Sequence, residues 1–125
     1  MMEQFINKIN NVDIMELLRK LPDNSVQLVY GDPDYNVGVK YGGKSYTTSF
    51  DKYLSNYISL ASECRRVLRE DGNAFFINYP KNNAFLWARY LADAFYDVQE
   101  YVWVYNSNVG HSKHRFTTAH RSILH

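Results

Sequence analysis

The chain has 125 residues, 46% of them hydrophobic, which suits one domain with a real core and excludes a disordered tail. Its net charge of +1 and pI near 7.8 give no general pull toward nucleic acid, so any such affinity must come from a local patch. The single cysteine, Cys64, excludes a disulfide framework and a cysteine-built zinc site; no leader pattern and no run near the ~20 apolar residues that cross a bilayer is present, so a cytoplasmic protein without membrane contact is expected.

In chain order, Phe5 to Ile9 reads as a short strand and Val12 to Arg19 as a helix capped by Asn11, with Ile14, Leu17, Leu18 and the following Leu21 on one face. Pro22 to Ser25 is a turn, and Val26 to Tyr30 is an apolar strand. Asn36 to Ser49 has neither regular period and reads as a mobile loop. Thr48 with Asp51 fits a capping pattern for a helix from Phe50 to Arg69, which buries Leu54, Tyr57, Ile58, Ala61, Cys64, Val67 and Leu68 and ends at Asp71-Gly72. Ala74 to Tyr79 is a second apolar strand. After Pro80 a helix to about Phe95 carries Ala84, Trp87, Ala88 and Leu91 inward. Tyr101 to Tyr105 is a third strand, Asn106 to His114 a polar turn, and Phe116 to Leu124 a strand returning antiparallel. The alternation predicts an α/β sheet, mostly parallel, with one reversed strand in a C-terminal hairpin.

Chemistry is expected where the strand Val26 to Tyr30 runs into Gly31-Asp32-Pro33-Asp34-Tyr35-Asn36. Gly31 and Pro33 end the strand, which sets a carboxylate, a fixed carbonyl and an aromatic ring at a strand's carboxyl end, where open α/β sheets bind ligands. The Asp32 carboxylate and the Pro33 carbonyl are both acceptors; aimed at one point they would grip an amino group and leave its nitrogen lone pair directed elsewhere. Tyr35 would offer a face on which a planar base can stack. Aspartate and proline are also ordinary turn residues, so a plain polar strand exit is the alternative.

These residues resemble the Asp-Pro-Pro-Tyr motif of the amino-group DNA methyltransferases, which methylate adenine N6 or cytosine N4. Asp13, Leu17, Leu18, Leu21, Pro22, Asp23, Ser25, Val26 and Leu28 keep the order of that family's approach to the motif, and Asn36-Val37-Gly38 is similar to its exit. Arg115 to Leu124 resembles the later strand that walls the target-base pocket. The resemblance implies a Rossmann-like methyltransferase sheet, double-stranded DNA as partner and S-adenosylmethionine as cofactor. It implies Asp32, Pro33 and Tyr35 as catalytic residues around a flipped base, Asp32 being shared with the cofactor, and direct attack of the base nitrogen on the sulfonium methyl without a metal.

Two positions depart from the pattern: Asp34 replaces the second proline, and Arg121 stands where glutamate is common. The Phe-x-Gly-x-Gly turn that holds the cofactor's methionine part is missing from residues 1–125, as is the recognition region. The chain therefore reads as a single domain, the N-terminal catalytic half of such an enzyme, a truncation or one piece of a split protein, incomplete alone. The strands that the other half would add beside the motif strand are missing, which leaves an open edge that a homodimer or a complementary subunit would cover, poor solubility being the other outcome.

Lys113, His114 and Arg115, with His111, form a basic cluster at the expected hairpin tip, where phosphate contact is easy; with Asn36 they are the candidate nucleic-acid contacts, and a soluble turn is the plain alternative. His111, His114 and His120 lack the cysteine or carboxylate that would complete a metal set. Lys40, Lys44, Ser45, Tyr46, Thr47 and Thr48 either close over DNA or stay solvated. Phe75, Phe76, Phe85, Trp87, Phe95 and Trp103 are assigned to packing, and Tyr79 is placed near the pocket. A rival reading takes Asp32-x-Asp34 as the metal pair of a nucleotide-sugar transferase; a second takes the chain as a degenerate module binding DNA or a subunit.

Overall fold

The computed structural model of the chain describes residues 2–106 and 113–125. The expected strand Phe5 to Ile9 does not form. Met2–Gln4 make one 3₁₀ turn, Asn7 takes φ +56°, which breaks an extended run, and Ile6 and Ile9 are exposed. Helix α1 (Ile14–Lys20) starts later than Val12 because Asp13, and not Asn11, caps it: the Asp13 carboxylate accepts from the backbone N–H of Met15 at 2.9 Å and of Glu16 at 3.2 Å. Leu18 is its buried residue, while Ile14 stays exposed.

Strand β1 (Val26–Gly31) leads to a loop that is not wholly irregular. It holds a small hairpin, β2 (Lys40–Tyr41) with β3 (Lys44–Ser45), turned by Gly42 and Gly43 at φ +58° and +80°. Helix α2 (Phe50–Val67) is capped by Ser49 and not Thr48, because the Thr48 backbone N–H is already bound by the Asn36 side chain. Arg66 near its end donates to the Leu18 and Leu21 carbonyls at 2.8 and 3.0 Å, which fixes the end of α1 against α2.

Asp71-Gly72 does not end this helix. The chain turns extended at Leu68 and runs directly into β4 (Leu68–Asn78), where Arg69 to Gly72 bulge opposite the single residue Gln27 of β1. Gly72 allows the close approach: a Cβ there would lie 2.8 Å from Leu68 Cδ1 and 2.9 Å from the Gln27 carbonyl oxygen. Gly72→Ala is expected to cost about 1–3 kcal/mol in urea unfolding, because the obstructing oxygen belongs to a paired strand and cannot swing aside.

Helix α3 (Pro80–Leu86) has proline at its first position, passes through a π turn at Trp87–Leu91 and ends as α4 (Ala92–Ala94). Its inner face is the expected one only at Leu91 and, in part, at Trp87, which packs against the core. Asn82, Asn83, Leu86 and Leu91 are buried, whereas Ala84 and Ala88 are exposed and Trp87 is half-buried, because two polar residues occupy the inward phase.

Strands β5 (Glu100–Val104) and β6 (His120–Leu124) complete a sheet in the order β1-β4-β6-β5. β1 and β4 are parallel and β6 is antiparallel to both β4 and β5, so β6 is the one reversed strand. It is also an interior strand: Phe76 pairs with Leu124, and Tyr101 with Ile123. The expected strand from Phe116 forms only from His120, and residues 107–112 of the expected turn, His111 among them, lie outside the described residues. The core joins Leu18, Tyr57, Ala61, Phe76, Leu86 and Leu124. Among the described residues no helix is long and apolar enough to cross a membrane.

Candidate functional site

β1 carries its chain to the carboxyl end of the sheet close beside β4, since a Cβ on Gly31 would lie 3.3 Å from the Phe76 ring. Asp32, Pro33, Asp34 and Tyr35 then cross toward the end of β4. The Tyr35 hydroxyl donates to the Asp32 carboxylate, and its ring lies 5.3 Å from that of Tyr79, inclined at 55°. The Arg121 guanidinium, from the start of β6, lies 4.2 Å over the Tyr79 ring and 5.2 Å over those of Tyr35 and Tyr105, and its Nη1 donates to the Tyr105 hydroxyl. The early motif and the late strand thus meet in one aromatic cluster, with Tyr79 in it as expected.

A buried polar network, which hydrophobic patterning missed, holds the loop. The Tyr53 hydroxyl donates to the Asp34 carbonyl at 2.7 Å and accepts from Asn78 Nδ2 at 2.7 Å. Asn82 Nδ2 donates to the Tyr35 carbonyl at 3.0 Å and to Asn78 Oδ1 at 2.8 Å. The carbonyls of Asp34 and Tyr35 are therefore held, and among the described residues no donor sits on that of Pro33. One layer deeper, Asn83 Nδ2 donates to the Phe76 carbonyl at 3.1 Å and the Ser122 carbonyl at 3.0 Å, while Asn83 Oδ1 accepts from Tyr57 at 2.9 Å. The available signal was Asn78 with Asn82 and Asn83, polar residues at helical spacing where an apolar strand meets Pro80.

Asn36 braces the same loop from outside. It takes φ +58°, a conformation asparagine tolerates, and its side chain donates to the Thr48 carbonyl at 3.0 Å and accepts from the Thr48 N–H at 2.8 Å. Its own N–H donates to the Asp34 carboxylate at 2.9 Å. Each carboxylate is thus engaged within its own loop, Asp32 by Tyr35 and Asp34 by Asn36, an arrangement that lends nothing to the metal-pair reading. Among the described residues no three His, Cys, Asp or Glu side chains cluster as metal ligands.

Burial, followed by the hydrogen bond and negative charge of Asp32, raises the Tyr35 phenol well above the usual tyrosine range, and Arg121 opposes this only in part. Tyr35 therefore keeps its proton and acts as a donor. Burial likewise raises Tyr53 and Tyr57, and it pushes the Cys64 thiol up to about 11, which makes Cys64 a neutral core side chain rather than a nucleophile. Lys113, His114 and Arg115 are exposed on the approach to β6, at the same end of the sheet as Asp32.

The family model described as DNA methylase matches residues 26–125. The chain is 30% identical over 112 residues to the DNA adenine methyltransferase YhdJ of Escherichia coli (strain K12), covering 90% of this chain and 38% of that protein. It is 37% identical over 82 residues to the type II methyltransferase M.BamHI of Bacillus amyloliquefaciens, covering 65% and 19%. Among solved structures, PvuII DNA methyltransferase (cytosine-N4-specific) shares the fold with a TM-score of 0.66 at 18% identity, over 90% of this chain and 46% of that one. The chain spans less than half the length of each of these proteins.

Proposed function

The chain belongs to the DNA methylase family, and from that premise we propose that it grips the exocyclic amino group of a flipped adenine or cytosine for methylation at N6 or N4. The observation that carries this is the Asp32-Pro33 pair at the carboxyl end of β1, with the next two carbonyls held by Tyr53 and Asn82. The Asp32 carboxylate and the Pro33 carbonyl accept the two amino hydrogens, so the nitrogen lone pair stays available. Tyr35, with Tyr79 beside it, stacks on the base. Asp32 also stabilises the positive charge that develops on nitrogen, in a loop already rigid before the substrate arrives. Because the Tyr35 hydroxyl occupies Asp32 in this structure, the incoming amino group takes its place on the carboxylate.

S-adenosylmethionine is the proposed methyl donor. Its methionine part needs a glycine-lined cradle, and the described glycines do not build one. Gly31 and Gly72 pack against Phe76 and Leu68, and the Cβ positions of Gly38, Gly42 and Gly43 have nothing within 4 Å. Asp32 is therefore the one contact assigned to the cofactor in this chain. Residues 1–125 act as one catalytic domain, and a further segment or a complementary subunit carries the cofactor turn and the recognition region; a second copy in a homodimer covers the open edge but brings no such turn. The place for that segment or subunit is the free edge of β1, the outermost strand of the sheet, next to a face on which Leu28 and Tyr30 are exposed. Double-stranded DNA is the partner, approached by Asn36, Lys113, His114 and Arg115, and the compartment is the cytoplasm.

The test is to mix the purified chain with a chain bearing the Phe-x-Gly-x-Gly turn, S-adenosylmethionine and duplex DNA, and to identify the methylated nucleoside by mass spectrometry. N6-methyladenine or N4-methylcytosine is expected, without divalent metal. A C5-methylated product would overturn the reading; DNA binding with no transfer by any complement would leave a binding module in its place.

A further inference from the structure

We propose that Arg121 is a nucleic-acid contact whose Nε and Nη2 edge takes the backbone phosphate of the nucleotide whose base stacks on Tyr35. The inference rests on the reading given under Proposed function and deepens it.

Arg121 is half-buried and carries a full charge, yet among the described residues no carboxylate lies within ion-pair distance of it. The ion pairs among those residues lie elsewhere: Lys20 with Glu16, Arg66 with Asp23 and Glu63, and Arg69 with Asp71. Arg121 is held instead by the faces of Tyr79, Tyr35 and Tyr105, with Nη1 turned to the Tyr105 hydroxyl and the His120 carbonyl. Those contacts fix the plane of the guanidinium without neutralising it. Apart from the Tyr35 hydroxyl, on which Arg121 also acts, they leave the Nε and Nη2 edge without a hydrogen-bonded partner among the described residues, and such a preset fork suits a phosphate.

The charge around it has the same sense. Topology places Lys40, Lys44, Lys81, Lys113 and Arg115 at the carboxyl end of β1 and β4, together with Arg121. These six cations outnumber the Asp32 and Asp34 carboxylates at that end, whereas Glu70, Asp71 and Asp97 line a cleft at the opposite end with Arg65, Arg69 and His125. The near-neutral total therefore conceals a basic end, and the run from Lys113 to Arg121 leads to Tyr35 as a track for a polyanion.

The experiment is fluorescence anisotropy of the chain with a labelled, mixed-sequence single-stranded oligonucleotide, whose bases need no flipping, across a salt series. Arg121→Gln is expected to weaken binding and to lower the slope of log K against log salt by about 0.7, the loss of one single-strand phosphate contact, while Arg121→Lys keeps the slope. An unchanged slope in the glutamine variant would overturn the proposal, leaving Arg121 as a brace for the tyrosines and the nucleic-acid reading intact. A wild-type chain that binds no oligonucleotide even at low salt would be the distinct failure of that reading, and of the proposal with it. Should the glutamine variant not fold, Arg121→Met, which keeps an extended stem on the rings without charge, carries the same comparison.

Discussion

Asp32→Ala is expected to lower the single-turnover rate of the completed enzyme by about 10²–10³-fold, the effect of deleting one group aimed at transition-state charge, while DNA affinity changes little. The separation follows from the geometry. Tyr35 and the basic residues around Arg121 provide the binding contacts, whereas the carboxylate meets only the amino group and the charge that develops there. Asp32→Asn keeps an acceptor oxygen and loses the charge, so its rate should fall between those of the alanine variant and the wild type. Near-normal turnover in Asp32→Ala would remove Asp32 from the proposed role.

Asn83→Ala is expected to destabilise the fold by about 3–5 kcal/mol in urea unfolding, several times the cost of an ordinary single hydrogen bond. Asn83 is completely buried, and its loss removes one partner from each of the Tyr57 hydroxyl and the carbonyls of Phe76 and Ser122, none of which water can readily reach in exchange. Against a total of about 5–15 kcal/mol for a domain, that is a large fraction. Asn83→Leu fills the space without restoring the donors and should not recover the loss. A change below about 1 kcal/mol would show that the helix and two strands bonded to this side chain, α2, β4 and β6, do not depend on it.

The differences between the sequence reading and the structure are physical and local to particular residues. The capping residues differ by one or two positions because Asp13 and Ser49 reach the first-turn N–H groups, and Thr48 is already committed to Asn36, a partner in a different segment; α2 still starts at Phe50 as expected. Asp71-Gly72 was read as a helix stop because glycine commonly is one; here the same residue admits a close backbone approach inside a bulged strand. The inward face of α3 is only partly the one that Ala84, Trp87, Ala88 and Leu91 define, because apolar spacing takes no account of Asn82 and Asn83, whose partners, Tyr35, Asn78, Phe76 and Ser122, lie on other elements.

By itself the sequence determined what depends on neighbouring residues: an apolar strand cut off by Gly31 and Pro33, the adjacency of Asp32, Pro33 and Tyr35, the alternation of strand and helix, and with these the sheet with one reversed strand and the family. Only the tertiary structure decided the interior place of β6, the gathering of Tyr35, Tyr79 and Tyr105 around Arg121, and the asparagine network that holds the motif loop. The reason is that a turn or a strand end is set by the φ restrictions of its own residues. A buried hydrogen bond or a cation over a ring is set by which distant donor the fold brings within about 3 Å, and hydrophobic pattern carries no record of that.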